Sequence, residues 1–180
     1  MFTKLEKTLL VFILTFAVLC LIARSCNGEE INSALINAII CVESGWDSQV
    51  VSEKGCIGLM QINPDGALKE YNQWYGYTFD NEGKNALATD KVYRFVRENP
   101  EGFNVGDLLN PRINVAIGRW YLNRLKEHYI PKDKFSLENL LAAYNGGITR
   151  LRKVNYDWTK MPRETRDYVR KVLRIYYGRN

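Results

Sequence analysis

A single glutamate, Glu43, is the residue of this sequence whose position best suits it to do chemistry. It lies at the end of a short apolar helical pattern and is followed by Gly45 and Trp46. This position predicts a carboxyl at the rim of a core, where burial and the negative end of the helix dipole both raise the pKa. A carboxylic acid still protonated near neutral pH can act as a general acid. In a frayed last turn, by contrast, Glu43 would be an ordinary surface residue.

The composition excludes several other kinds of catalytic site. His128 is the only histidine, which removes Ser-His-Asp and Cys-His catalysis. The cysteines lack the spacing of a structural zinc site, and no glycine-rich phosphate-binding loop is present. We therefore expect a site with no metal and no cofactor.

The chain is mildly basic, with a formal net charge of +5 over 180 residues. The excess is concentrated between Arg150 and Arg179. This density is too low to indicate a nucleic-acid-binding domain, so we expect no nucleic-acid partner. A run of this kind is typical of a solvated helix face, and the alternative is a surface that attracts an acidic polymer or a membrane.

The segment before Glu43 has the periodicity of a helix buried along one face. The apolar residues of that face are Ile31, Leu35, Ala38, Ile39 and Val42. Gly45 stands where a left-handed C-terminal cap would end the helix. The predicted helix would therefore hold Glu43 in its last turn, beside the core.

Three later helices are predicted from their start and stop signals. Asn110 and Pro111 are typical of an N-cap and a first helical residue, Ser136 is a second N-cap, and Pro162 begins the last helix. Residues 145–147, Asn-Gly-Gly, end the middle one. Because strand signals are weak throughout, we predict an all-α fold with short connections.

Three stretches before these helices carry polar or aromatic residues. The apolar run 57–62 contains Gln61, whose amide needs hydrogen-bond partners from the backbone or from a ligand. Residues 63–66, Asn-Pro-Asp-Gly, predict a turn. Aromatic residues from Tyr71 to Phe79 suit either stacking against sugar rings or a small satellite core.

The N-terminus has the pattern of an export signal. Lys4 and Lys7 precede an apolar run, residues 9–23, which has the length of a signal-peptide core and is short for a membrane span. We predict that residues 1–25 are a signal peptide or a signal anchor helix. The protein would then be periplasmic, or anchored in the inner membrane by residues 9–23 and facing the periplasm.

The cysteines agree with export. Cys26, Cys41 and Cys56 would remain after removal of the leader. Because Cys41 and Cys56 bracket the turn after Glu43, a disulfide between them could brace it in an oxidising compartment. The alternative is that Cys41 is a small buried residue of the first helix.

Four short motifs occur in the order in which one known family has them. They are Glu43-Ser44, Gly58-Leu59-Met60-Gln61, Ala142-Ala143-Tyr144-Asn145, and Tyr168 within residues 162–169. The chain resembles the soluble lytic transglycosylases, the goose-lysozyme-like enzymes that cleave murein. The resemblance implies a lysozyme-like helical domain over residues 26–180. It also implies an insertion at residues 67–106, because this part of the chain is longer than in typical members.

The resemblance implies a role for each matching residue. Glu43 matches the catalytic acid and base. The residues implied to bind or position the substrate are Ser44, Ser52, Met60, Gln61, Tyr144, Asn145, Glu164 and Tyr168. The implied substrate is the β-1,4 bond between N-acetylmuramic acid and N-acetylglucosamine in peptidoglycan.

A single catalytic carboxylate has a consequence for the reaction. Most glycosidases use two carboxylates, so with Glu43 alone the substrate's own hydroxyl would be the nucleophile and a 1,6-anhydro sugar the product. Two alternatives stay open. One is a hydrolytic lysozyme in which Asp47 or Glu53 positions water, and the other is a non-catalytic murein-binding assembly module. The setting also stays open among cell-wall turnover, a secretion or conjugation apparatus, and a phage particle.

Overall fold

The computed structural model describes residues 31–74 and 102–178. The predictions for residues 1–25, for Cys26 and for the aromatic residues after Trp74 lie outside the described residues. In the two described ranges, no helix is both long and apolar enough to cross a membrane.

Helix α1, Ser33–Glu43, carries the predicted apolar face, which is buried or partly buried along its length. Asn32 caps the first turn, because its side-chain oxygen accepts a hydrogen bond from the Leu35 N–H at 2.9 Å. Gly45, with a φ of +59°, follows the C-cap residue in the left-handed region. The predicted end of the helix is therefore confirmed, and Glu43 is its last residue.

The other helices follow in order along the chain. The first of these, α2, consists of a π-helical turn, Pro64–Leu68, and the helical residues 69–74. Helix α3 is Pro111–Arg124, continued by a π-helical turn, Leu125–Tyr129. Helices α4, α5 and α6 are Leu137–Gly146, Ile148–Lys153 and Arg163–Tyr176. Single 3-10 turns are Gly106–Leu109, Lys132–Lys134 and Trp158–Lys160.

Helix α6 packs against both α1 and α4. Its buried face is made of Thr165, Tyr168, Val169 and Val172, and the remaining positions are mostly charged. This division is the pattern of an amphipathic helix lying on a core. The packing brings the last turn of α1, the end of α4 and the middle of α6 together.

Two predicted N-caps are present in the structure. The Asn110 side chain accepts a hydrogen bond from the Arg112 N–H at 3.0 Å, and the Ser136 hydroxyl accepts one from the Asn139 N–H at 3.1 Å. These caps satisfy donors that a helix start leaves unpaired. They explain why α3 and α4 begin where the sequence predicts.

The all-α fold class is confirmed. Across residues 31–74 and 102–178, extended pairing is limited to isolated bridges that join Ile57 to Val51 and to Ile62. These bridges fold residues 50–62 into a compact loop between α1 and α2.

The predicted turn at residues 63–66 is present, with the Gly66 N–H donating to the Asn63 carbonyl at 3.2 Å, and it also begins a helix. Asn63 accepts a hydrogen bond from the Asp65 N–H at 2.9 Å, and Pro64 is the first residue of α2. An Asn-Pro pair serves equally as a turn and as a helix start, and here it begins a helix as it does in α3.

Cys41 is exposed and Cys56 is partly exposed, and both thiols are free. The prediction that Cys41 is a buried residue of the first helix is therefore wrong. Cys41 comes six positions after the buried Leu35. At 3.6 residues per turn, this spacing points the Cys41 side chain away from the apolar face.

A group of aromatic side chains packs together where α2 meets α3. Tyr71 is buried, with its ring centroid 5.1 Å from that of Trp120 in an edge-to-face arrangement and 6.0 Å from that of Phe103. Trp74 also packs against Trp120, with centroids 5.6 Å apart. Tyr71 and Phe103 belong to the same hydrophobic core as the other buried residues described, and Trp120 packs against it. The aromatic residues described therefore pack inside the protein, but not as a separate satellite core.

The late basic residues lie mainly on exposed faces. Within α6, Asp167 pairs with Arg163 at 3.5 Å and with Arg170 at 2.9 Å. Pairs of this kind along one helix are typical of a solvated helix face. The basic residues of α6 therefore lie on such a face.

Candidate active site

Glu43 lies at the C-terminus of α1, partly buried and close to Tyr144 and Tyr168. Burial raises the pKa of its carboxyl from 4.5 to about 7, and the nearby Tyr168 hydroxyl offsets part of that rise. The principal cause is therefore desolvation of the charged form. At neutral pH Glu43 exists in both protonation states, which suits a group that must donate and then accept a proton.

Tyr168 projects from the buried face of α6 beside that carboxyl. Its hydroxyl is buried and makes no hydrogen bond of standard geometry with the residues described, although it lies close enough to Glu43 to lower the pKa of that group. Burial, and then the charge of Glu43, raise the pKa of Tyr168 well above its ordinary value. Tyr168 is thus a neutral donor available to a carboxylate or to a bound ligand.

Tyr144 reaches the same place from α4. Its hydroxyl donates a hydrogen bond to the Met60 carbonyl at 2.8 Å. Burial, and then the charge of Glu43, raise its pKa well above the ordinary value. Tyr144 therefore joins α4 to the 57–62 loop at the edge of the Glu43 site.

The 57–62 loop is held by one buried amide, that of Asn114 on α3, which is 0% exposed. Its Oδ1 accepts a hydrogen bond from the Met60 N–H at 2.8 Å. Its Nδ2 donates to the carbonyls of Ile57 at 2.8 Å and Leu108 at 2.9 Å. The amide thus fixes the loop that meets Tyr144.

Gly58 allows this close approach. It has a φ of +74°, and a Cβ there would lie 2.4 Å from Asn114 Nδ2 and 2.5 Å from the Leu108 carbonyl oxygen. Both the left-handed backbone and the lack of space require glycine. The Gly58 position of the motif is thus explained by the packing of the loop on α3.

Met60 and Gln61 have different surroundings. The Met60 side chain is 0% exposed and packs against Gly118, where a Cβ would lie 2.4 Å from its sulfur. The Gln61 amide donates to the carbonyls of Val50 at 3.2 Å and Gly58 at 3.0 Å. Gln61 has a φ of +47°. Backbone groups therefore satisfy the Gln61 amide nitrogen, and the Met60 side chain belongs to the core.

Ser44 and Ser52 form hydrogen bonds with the backbone. The Ser44 hydroxyl donates to the Ile40 carbonyl at 3.2 Å, and the Ser52 hydroxyl accepts from the Cys56 N–H at 3.0 Å. Both hydroxyls therefore form hydrogen bonds that shape the backbone after α1, and their roles toward the substrate stay predictions.

Asn145 and Glu164 are exposed. Asn145 follows Tyr144 in the last turn of α4, and Glu164 lies in the first turn of α6. Glu164 pairs with Lys54 at 3.0 Å. The pair links α6 to the turn that contains Ser52, although at this exposure it contributes at most about 1 kcal/mol to stability.

No group of three histidine, cysteine or acidic residues that could hold a metal occurs in the described part of the chain. Asp47 and Glu53, the carboxylates of the hydrolytic alternative, are both exposed. Asp47 also accepts a hydrogen bond from the Gln49 N–H at 2.8 Å, which shapes the turn after α1.

The structure therefore brings together Glu43, Tyr144, Tyr168 and the Met60 carbonyl. The sequence pattern did not single out Asn114, whose amide holds this arrangement in place. Its signal was a polar side chain four residues before Gly118 on a helix whose other buried positions are apolar. Such a residue is buried only if it has partners.

A model of the family described as "Transglycosylase SLT domain" matches residues 21–91 and 88–164. The chain therefore belongs to the transglycosylase SLT family. The membrane-bound lytic murein transglycosylase E of Buchnera aphidicola is 32% identical over 143 residues, which cover 78% of this chain and 56% of that protein. The soluble lytic murein transglycosylase of Escherichia coli is 30% identical over 164 residues, which cover 85% of this chain and 21% of that protein.

Solved structures share the fold. The crystal structure of the 70 kDa soluble lytic transglycosylase of Escherichia coli matches with a TM-score of 0.56 and 28% identity, covering 86% of this chain and 23% of that one. Lytic transglycosylase Slt from Pseudomonas aeruginosa, an inactive mutant, matches with a TM-score of 0.53 and 24% identity over 81% of this chain and 21% of that one. The chain thus spans about half of the membrane-bound relative and about a fifth of the soluble ones.

Proposed function

We propose that this chain is a peptidoglycan lytic transglycosylase that uses Glu43 as its only acid and base. The substrate would be the β-1,4 bond between N-acetylmuramic acid and N-acetylglucosamine. The observation that carries the proposal is a single partly buried carboxyl with a pKa raised to about 7, beside a buried tyrosine hydroxyl. Membership of a family whose relatives are named lytic murein transglycosylases supports the same reaction.

In the first step, protonated Glu43 donates its proton to the glycosidic oxygen. The bond from C1 of the muramic sugar to that oxygen breaks, and N-acetylglucosamine leaves with the proton. Positive charge develops at C1, and the muramic acetamido carbonyl can stabilise it. Tyr144 and the exposed amide of Asn145 would hold that acetamido group.

In the second step, the muramic O6 hydroxyl attacks C1, and its proton passes to the Glu43 carboxylate. The product is a 1,6-anhydro sugar, Glu43 is protonated again, and no water is consumed. The donor beside the carboxyl, Tyr168, favours the charged form of Glu43 that exists between the two steps. A group with a pKa of about 7 suits both proton transfers near neutral pH.

Product analysis tests this function. Purified sacculi would be digested with the protein, and the released muropeptides identified by mass spectrometry. We expect 1,6-anhydromuramic ends. Reducing ends would indicate the hydrolytic alternative, and binding of murein without any released product would indicate the non-catalytic module.

Substitution of Tyr168 by phenylalanine tests the environment of Glu43. The hydroxyl lowers the pKa of Glu43, so Tyr168→Phe raises that pKa further and moves the alkaline limb of the activity profile to higher pH. Loss of this donor beside the carboxyl reduces the rate about tenfold. The measurement is turnover of solubilised glycan strands against pH. The control is Tyr156→Phe, because the Tyr156 hydroxyl donates to the Tyr129 carbonyl. If the alkaline limb of the activity profile does not move in Tyr168→Phe, the assigned effect of Tyr168 on the pKa of Glu43 is contradicted.

The substrate lies outside the cytoplasmic membrane, so we also propose that residues 1–25 direct export as a signal peptide or anchor. The two family-model matches overlap at residues 88–91 and together cover residues 67–106, and the interpretation of this segment as an insertion stays a prediction. Association with a secretion, conjugation or phage assembly stays a prediction.

A further inference from the structure

Trp46 combines two unfavourable features. Its side chain is 55% exposed, although it is a large apolar ring. Its φ is +72°, in the left-handed region that L-residues with a Cβ rarely adopt. A folded chain tolerates such a residue only where the surrounding structure or a function requires it.

The turn after α1 imposes this backbone. The Asp47 N–H donates to the Ser44 carbonyl at 3.2 Å, and the two central residues, Gly45 and Trp46, have φ values of +59° and +72°. Positive φ at both central positions is the pattern of a type I′ turn, which favours glycine or asparagine. Gly45 fits this turn, whereas Trp46 does not.

The other described residues with a positive φ that are not glycine have either a hydrogen-bonded side chain or a residue type that tolerates this conformation. The Gln61 amide donates to two carbonyls, and the Tyr156 hydroxyl donates to a third. Asn155 is of a type that tolerates the left-handed region. The exposed ring of Trp46 has no comparable reason within the described fold.

We propose that Trp46 stacks on a sugar ring of the glycan strand whose bond Glu43 cleaves, an inference that rests on the proposed function. Three residues of chain place it within about 10 Å of Glu43, backbone to backbone. A pyranose ring of an N-acetylated aminosugar presents an apolar C–H face, and the flat indole offers a matching surface at low entropic cost. Trp46 is thereby assigned to substrate binding and not to proton transfer.

The test uses Trp46→Asn and Trp46→Phe with solubilised murein glycan strands as the probe. We expect Trp46→Asn to raise KM about tenfold, as the loss of one aromatic stacking contact does, with kcat changed less than about twofold. Because asparagine suits the turn, its melting temperature should rise by about 2–4 °C. Trp46→Phe should keep most of the affinity.

Fluorescence gives a second readout. In the cleavage-deficient Glu43→Gln background, glycan strands should change the tryptophan emission, and Trp46→Phe should remove that change. Trp158→Phe is the matched control and should retain it. An unchanged KM with Trp46→Asn, or a lower melting temperature, would overturn the inference and leave the proposed function standing. Absence of any cleavage by the unmodified protein would instead overturn the proposed function.

Discussion

Glu43→Gln should abolish the clearing of murein, with turnover reduced by about a thousandfold or more, because one side chain performs both proton transfers. Glutamine keeps the size of the side chain and its place at the end of α1, so the fold should be preserved. Turbidity loss of purified sacculi measures the rate, and circular dichroism checks the helical content.

The same substitution should increase stability at alkaline pH. Between about pH 4.5 and 7 the folded protein retains on Glu43 a proton that the unfolded chain has lost. Stability therefore falls as pH rises through this window, by up to about 3 kcal/mol. Glu43→Gln has no carboxyl to ionise and therefore does not lose this stability. The variant should be more stable than the unmodified protein above about pH 7 and equally stable below about pH 4.5.

Asp47→Asn and Glu53→Gln are the matched controls, since both carboxyls are exposed and belong to the turns that follow Glu43. Each should keep nearly full activity if Glu43 acts alone. A loss in either one comparable to that of Glu43→Gln would favour the hydrolytic alternative. Full activity of Glu43→Gln itself would refute the proposed function.

Asn114→Ala should be the most destabilising polar substitution among those considered. It removes three hydrogen bonds and leaves the Met60 N–H and the Leu108 carbonyl without the Asn114 partner. The Ile57 carbonyl loses the Asn114 amide but still accepts from the Ile62 N–H at 2.9 Å. Each orphaned group costs about 1–3 kcal/mol, so a total loss of about 3–5 kcal/mol is expected. Urea unfolding followed by circular dichroism measures it, and murein clearing should fall because the loop that meets Tyr144 loosens.

Asn123→Ala on the same helix is the control. Its amide donates to the Arg119 carbonyl at 3.2 Å, one turn back along the helix. A loss below about 1 kcal/mol is expected there. If the two variants were equally stable, the buried amide would not be what holds the 57–62 loop.

Local signals were enough to predict helices α1, α3, α4 and α6. The apolar stripe before Glu43, the cap at Gly45 and the N-caps Asn110 and Ser136 depend on periodicity and on hydrogen bonds between near neighbours. Each is present in the structure. Helix α5 was not predicted, because six residues after a double glycine carry too little periodicity to be recognised. Helix α2 was not predicted, because an Asn-Pro pair is as typical of a turn as of a helix start.

The features that the sequence did not predict depend on contacts between distant segments. Asn114 meets Met60 across 54 positions, and neither residue alone indicates the other. The exposure of Cys41 could not be predicted, because an apolar residue in a short apolar helix can lie on either face, and only packing against distant segments decides which. The strain at Trp46 is visible only in the backbone.

The most direct test of the account is a titration of the Glu43 carboxyl by carbon-13 NMR, assigned by comparison with Glu43→Gln. A midpoint at about pH 7 is predicted, the value that partial burial beside Tyr168 produces. A midpoint near 4.5, the ordinary value for this side chain, would contradict it. In that case the carboxyl would be ionised at neutral pH and could not supply the proton.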